Sequence, residues 1–204
     1  MDLFQNSDKP DFLKIPVEHG LLIYYPGFID KSTSVRLMIR LQQEINWKQE
    51  TIRIFGKSYL TPRLTSWYGD EGKSYSYSGL KLPPNPWTDL LLEIKSLIED
   101  LVKLSFNSVL LNWYRGGNDS MGWHADDEKE LGINPEIASL SLGETRTFRF
   151  RQKKNHRNSF GLPLENGSLL LMAGEIQHYW QHSLPRTAIS SGDRLNLTFR
   201  SIVD

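Results

Sequence analysis

The strictest constraint on how this chain can fold lies near its end. In Arg194-Leu195-Asn196-Leu197-Thr198-Phe199-Arg200, polar and apolar residues alternate without a break. Side chains two apart share a face of an extended strand. Leu195, Leu197 and Phe199 therefore lie on one side, and Arg194, Asn196, Thr198 and Arg200 on the other. The same habit begins after residue 106. Short alternating or apolar runs follow at Val109–Tyr114, Ile137–Leu142, Thr147–Arg151, Ser168–Met172 and Tyr179–His182. Turn signals separate them, among them Asn166-Gly167 and Ser191-Gly192-Asp193.

The first half reads differently. A helix is expected from Ser32-Thr33, as N-cap residues, to about Ile45, with Met38, Leu41 and Ile45 at helical spacing. A second is expected from near Thr88 to about Leu104. Its apolar face is Leu90, Leu91, Ile94, Leu97, Ile98 and Leu101. Helices followed by many short strands predict an α+β fold, with helices packed outside an antiparallel sandwich or jelly roll. The chain has 204 residues and no repeat or linker, which suits one domain.

Composition removes several functions. No apolar run reaches the roughly 18 residues of a membrane span. We expect no membrane partner, a monomer, and an intracellular location, cytoplasmic in a prokaryote or nuclear in a eukaryote. There is no cysteine, so a metal would have to sit on histidine and carboxylate. Formal net charge is zero, against indiscriminate binding to nucleic acid. A local surplus does exist, because no acid occurs between Glu144 and Glu165. That stretch carries Arg146, Arg149, Arg151, Lys153, Lys154 and Arg157.

His124-Ala125-Asp126 is the first chemical feature. In an extended segment His124 and Asp126 point to one side and Asp127 to the other. With a distant histidine they would form the two-His, one-carboxylate triad of non-heme iron oxygenases. His178 and His182 are both candidates, and strand parity does not separate them. Arginines on the polar face of Arg194–Arg200, with Asn196 between them, are what a dicarboxylate needs, since guanidinium offers forked donors. Asn112 and Tyr114 offer an amide and a phenol on another strand face.

Four motifs stand in order: Asn112-x-Tyr114, His124-x-Asp126, Trp180-Gln-His182-Ser-Leu-Pro185 and Arg194-x-Asn196-x-Thr198-Phe-Arg200. Over roughly Thr51 to Ile202 the chain resembles the AlkB family of iron(II)- and 2-oxoglutarate-dependent alkylation-repair dioxygenases. The resemblance implies a double-stranded β-helix, the jelly roll, with its core at about 106–202. It makes His182 the third iron ligand beside His124 and Asp126. It assigns Arg194, Asn196 and Tyr114 to the distal carboxylate of 2-oxoglutarate, and Arg200 and Asn112 to its metal-bound end.

Ile54-Phe55-Gly56-Lys57, Pro62-Arg63, Tyr68-Gly69-Asp70 and Tyr75-Ser-Tyr77-Ser78-Gly79 are similar to the nucleotide-recognition lid, about 50–80, of members acting on double-stranded DNA. The resemblance implies a wedge at Phe55 that fills the gap left by a flipped base. It implies base contacts at Arg63, Tyr75, Tyr77, Ser78, Asp127 and Glu128. Glu128 would accept from the exocyclic amine, and Asp127 would order the site by pairing with Arg63. The expected activity is oxidative dealkylation of bases such as 1-methyladenine and 3-methylcytosine, with succinate and, from methyl lesions, formaldehyde as products. The partner would be DNA, single-stranded DNA or RNA being alternatives. An oxygenase acting on protein or a small molecule is another. Two departures stand out: Asp193 replaces a frequent proline, and the Arg151–Ser159 hairpin matches relatives poorly.

Overall fold

The computed structural model describes residues 11–54, 56–73, 75–77, 80–189 and 192–203, without the side chains of 52–54, 75–77 and 80–82. The first half runs β1 (Leu13–Ile15), β2 (Leu21–Tyr25), α1 (Lys31–Glu44), β3 (Thr51–Ile54), β4 (Lys57–Leu60), β5 (Leu64–Gly69), β6 (Tyr75–Tyr77), β7 (Leu80–Leu82) and α2 (Asp89–Val102). After it come β8 (Ser108–Tyr114), β9 (Met121–His124), a 3-10 turn at Lys129–Leu131, β10 (Ile137–Gly143), β11 (Arg146–Gln152) and β12 (Ser159–Leu164). The chain closes with β13 (Ser168–Ala173), α3 (Ile176–Tyr179), β14 (Trp180–Leu184) and β15 (Arg194–Arg200).

Two antiparallel sheets make the jelly roll. The larger has seven strands in the order β1-β2-β13-β10-β15-β8-β5, and the smaller has four, β12-β11-β14-β9. The first half is thus less purely helical than its sequence suggests, because β1, β2 and β5 complete the larger sheet. Of the 50–80 segment, β5 belongs to that sheet, while β3-β4 and β6-β7 stand as separate hairpins. No described helix is long and apolar enough to cross a membrane.

Alternation decides what each face does. Val109, Leu111, Ala138, Leu140, Leu169, Leu171, Leu195, Leu197 and Phe199 share one buried cluster with Leu37 and Leu41 of α1 and Leu90, Leu91, Ile94 and Ile98 of α2. The helices therefore cover one face of the larger sheet, each fully buried Leu or Ile contributing about 1.5–3 kcal/mol. The other face meets the smaller sheet and is of two kinds. Toward one edge it is apolar: Leu22, Tyr24, Leu170 and Met172 pack with Phe150, Leu164, Ile176 and Trp180. Across β10, β15 and β8 it turns polar, with Ser139, Ser141, Arg194, Asn196, Thr198, Arg200 and Asn112 all buried. That polar half holds the site.

Local signals explain the element ends. Asp30, not Ser32 or Thr33, caps α1: its carboxylate accepts from both of their backbone N–H groups. Thr88 caps α2 through Leu91 N–H. At the Asn166-Gly167 turn only glycine fits. Its φ is +79°, and a Cβ would lie 2.1 Å from the Ile29 carbonyl oxygen.

Candidate metal and co-substrate site

His182 on β14 stands directly across from His124 on β9. Their ring centroids are 4.2 Å apart. Asp126 follows β9, and one ligand atom from each of the three residues lies within 4.8 Å of the others. A small cation with imidazole and carboxylate ligands fits that arrangement. The protonation states suit it too. His124 Nδ1 is 2.9 Å from the Gly122 carbonyl oxygen, which only accepts. Nδ1 is therefore the donor in that contact, which leaves Nε2 as the nitrogen available to a metal. Burial, and then the neighbouring His124, push His182 down to about 3, so its ring is neutral at ordinary pH. Burial alone would raise Asp126, but Arg200, His182 and His124 outweigh it and hold the carboxyl below its usual range.

The two arginines of β15 are treated differently. Arg200 donates to Asp126 Oδ1 at 2.7 Å, both groups being buried. Arg194 is 2% exposed, and among the described residues no carboxylate pairs with it. It donates to Ser141 Oγ at 2.9 Å and lies over the Tyr114 ring, 5.4 Å from the centroid. Its Nε has no hydrogen-bond partner. Burial lowers its pKa to about 10, which still leaves it cationic. A buried guanidinium with a spare donor and no counter-charge fits an incoming carboxylate. The donor set thus suits both a divalent metal and a dicarboxylate.

Between the sheets lies a cleft lined by Arg63, Leu110, Asn112, Tyr114, Met121, His124, Asp126, Glu128, Ser139, Phe148, Met172, His182, Asn196, Thr198 and Arg200. Arg194 is not among these lining residues but lies over the ring of Tyr114, which is. Asn196 donates to Ser139 Oγ and the Leu140 carbonyl and accepts from Thr198. Asn112 accepts from Arg63 Nε at 2.8 Å.

Several expectations change. Asp127 does not pair with Arg63. Its carboxylate receives Lys153 Nζ at 2.7 Å, and Arg63 serves Asn112 and the Ser120 carbonyl instead. The reason is where each group faces: Asp127 is exposed outside the cleft while Arg63 is buried and lines it. Arg146 does not add to the local cationic surplus at the surface. It is buried and donates to the Gly116, Asp119 and Pro185 carbonyls. His178 is not on a strand but in α3, bonded to the Ile133 carbonyl and Asn134. Phe55 and Ser78 lie outside the described residues, as do the side chains of Tyr75 and Tyr77 on β6. The sequence reading missed Ser139, Ser141, Met121, Phe148 and Gln177. The alternating Ser139-Leu-Ser141-Leu held a signal for the first two; nothing marked the others.

The family model described as the 2OG-Fe(II) oxygenase superfamily matches residues 21–200. The chain is 42% identical to rat "Alpha-ketoglutarate-dependent dioxygenase alkB homolog 3" over 187 residues, 87% of this chain and 63% of that protein. It therefore spans somewhat under two thirds of that relative's length. With human "DNA oxidative demethylase ALKBH2" it shares 36% identity over 208 residues, 97% of this chain and 79% of that protein. A solved structure, "The structure of OsALKBH1", superposes with a TM-score of 0.66 at 17% identity, covering 93% of this chain and 100% of that one. It supports the fold alone. The match across nearly the whole chain, and relatives at this identity, place the protein in the AlkB family of the 2OG-Fe(II) oxygenase superfamily.

Proposed function

We propose that this protein is an iron(II)- and 2-oxoglutarate-dependent dioxygenase that removes alkyl groups from nucleic-acid bases. One observation carries the reading: the His124–Asp126–His182 cluster lines a cleft, and over the ring of Tyr114 in its wall lies a buried arginine that pairs with no carboxylate among the described residues. The two histidines present ring nitrogens and Asp126 a carboxylate, held in place by Arg200. Arg194 receives the distal carboxylate of 2-oxoglutarate, with Tyr114 as its floor. When bound, the iron supplies the oxidative decarboxylation of 2-oxoglutarate to succinate and the hydroxylation of the N-alkyl carbon. A hydroxymethyl group so formed leaves as formaldehyde. Glu128 lines the same cleft, where its carboxylate favours a cationic base such as 1-methyladenine or 3-methylcytosine over a neutral one.

DNA is the substrate we favour, since ALKBH2 relatives carry "DNA oxidative demethylase" in their names. The test is formaldehyde release from matched methylated duplex, single-stranded DNA and RNA. Release that requires both iron(II) and 2-oxoglutarate is expected, and none on any of the three would overturn the reading. For duplex use, Phe55→Ala should cost activity on duplex far more than on the single strand, because only the duplex needs its vacated stack filled. Equal losses would remove the duplex preference and leave the iron site untouched.

A further inference from the structure

We propose that Gln177 is a positioning residue that holds the metal-binding carboxylate in place, a role that rests on reading His124, Asp126 and His182 as the iron site. Asp126 presents a difficulty that the two histidines do not. His124 and His182 are cross-strand partners in the smaller sheet, so the ladder sets their backbones. Asp126 lies beyond the end of β9, in an irregular stretch that runs to β10. It is 2% exposed, so its N–H needs a partner inside the protein.

Gln177 supplies it. Its side chain is fully buried, and Oε1 accepts from Asp126 N–H at 3.0 Å. That donor dictates which end of the amide is oxygen, and Nε2 is left facing Met172 Sδ at 3.8 Å. Met172 lines the cleft. Gln177 lies on α3, which runs straight into β14 and so to His182. One amide therefore links the stretch bearing one metal ligand to the element that leads to another. The next residue, His178, grips the far part of the same stretch through the Ile133 carbonyl and Asn134. Two consecutive side chains of one helical turn thus hold the segment that carries Asp126 and Glu128. Groups behind metal ligands typically alter metal affinity by about 10–100-fold when removed.

The experiment is anaerobic titration of the apoprotein with cobalt(II), read by its visible d–d absorption. Gln177→Met keeps the length of the side chain and removes the amide oxygen. We expect cobalt affinity to fall by about 10–100-fold and the absorption bands to change, with the far-ultraviolet circular dichroism unchanged. Gln177→Glu restores an acceptor at the same distance and should recover most of the affinity. If the Met variant does not fold, Gln177→Asn, whose oxygen is one methylene short of Asp126 N–H, replaces it in the same titration and should show the same loss. Unchanged affinity and spectrum in the folded variant, or a Glu variant no better than Met, overturns the role of Gln177. Wild-type protein that takes up no cobalt overturns the iron-site reading itself.

Discussion

Arg194 and Arg200 stand on the same face of one strand, and the protein handles their charges in opposite ways. At the Arg200 end the cation is neutralised from within, by Asp126 at 2.7 Å. At the Arg194 end the described residues offer a hydroxyl and an aromatic ring but no carboxylate, and burial lowers the pKa to about 10. A shift of that kind means a folding cost on the order of a few kcal/mol at neutral pH. On the proposed function, the contrast separates an ion pair that orients a metal ligand from a charge held ready for the anion of the co-substrate.

The largest expected effect comes from breaking the paired end. Asp126→Ala should abolish turnover and destabilise the apoprotein by about 3–5 kcal/mol, because the buried Arg200 guanidinium loses the carboxylate beside it. Arg194→Met should also abolish turnover, yet leave apoprotein stability unchanged or higher. Urea unfolding of both variants measures the difference. Equal destabilisation would show that Arg194 is not an unneutralised charge.

Binding sharpens the same comparison. Arg194→Lys should weaken 2-oxoglutarate by roughly 1.5–3 kcal/mol, the scale of a charge-assisted bond, since an ammonium cannot reproduce the guanidinium fork. Anaerobic titration of the metal-loaded protein reads it, and an unchanged affinity would sink the assignment of the distal carboxylate.

Acid should act on the paired end. His182 is held near 3 in the folded chain, below its ordinary value of roughly 6.5. Its contribution to stability is therefore complete above that ordinary value and is lost as pH falls toward 3. Thermal unfolding of the apoprotein should show a decline that begins below neutrality, and His182→Gln should flatten it. A variant with the same pH profile as wild type would mean that another group is responsible.

The smallest effect concerns the floor beneath Arg194. Tyr114→Leu removes a cation–π contact worth about 0.5–2 kcal/mol and should weaken 2-oxoglutarate by a few-fold, with little change in metal affinity. An equal loss of both would place Tyr114 among the determinants of the whole cleft.

Much of this site was legible before any coordinates. The alternation in Arg194–Arg200 separates the helix-facing residues Leu195, Leu197 and Phe199 from the cleft-facing Arg194, Asn196, Thr198 and Arg200, because a strand has period two whatever surrounds it. His124 and Asp126 were legible as a His-x-Asp pair, although β9 ends at His124 and Asp126 lies beyond it. The Asp30 cap and the strands β1, β2, β5 and β12 were not. Short strands of mixed character take their identity from the neighbours they pair with, and those neighbours are far away in the chain.

The sequence by itself determined the order of chemical groups and the face on which each one falls. Parity left His178 and His182 equal and the family resemblance favoured His182; the tertiary structure supplies the physical reason. A helical turn carries the first to a loop, and the ladder sets the second opposite His124. It also decided that Asp127 meets Lys153 rather than Arg63, that Arg146 is an internal strut, and that Arg200 but not Arg194 has a carboxylate. None of these is a property of local spacing. Each depends on which distant backbone a side chain meets once the two sheets close, and a charge acquires its role only from the partner it finds there.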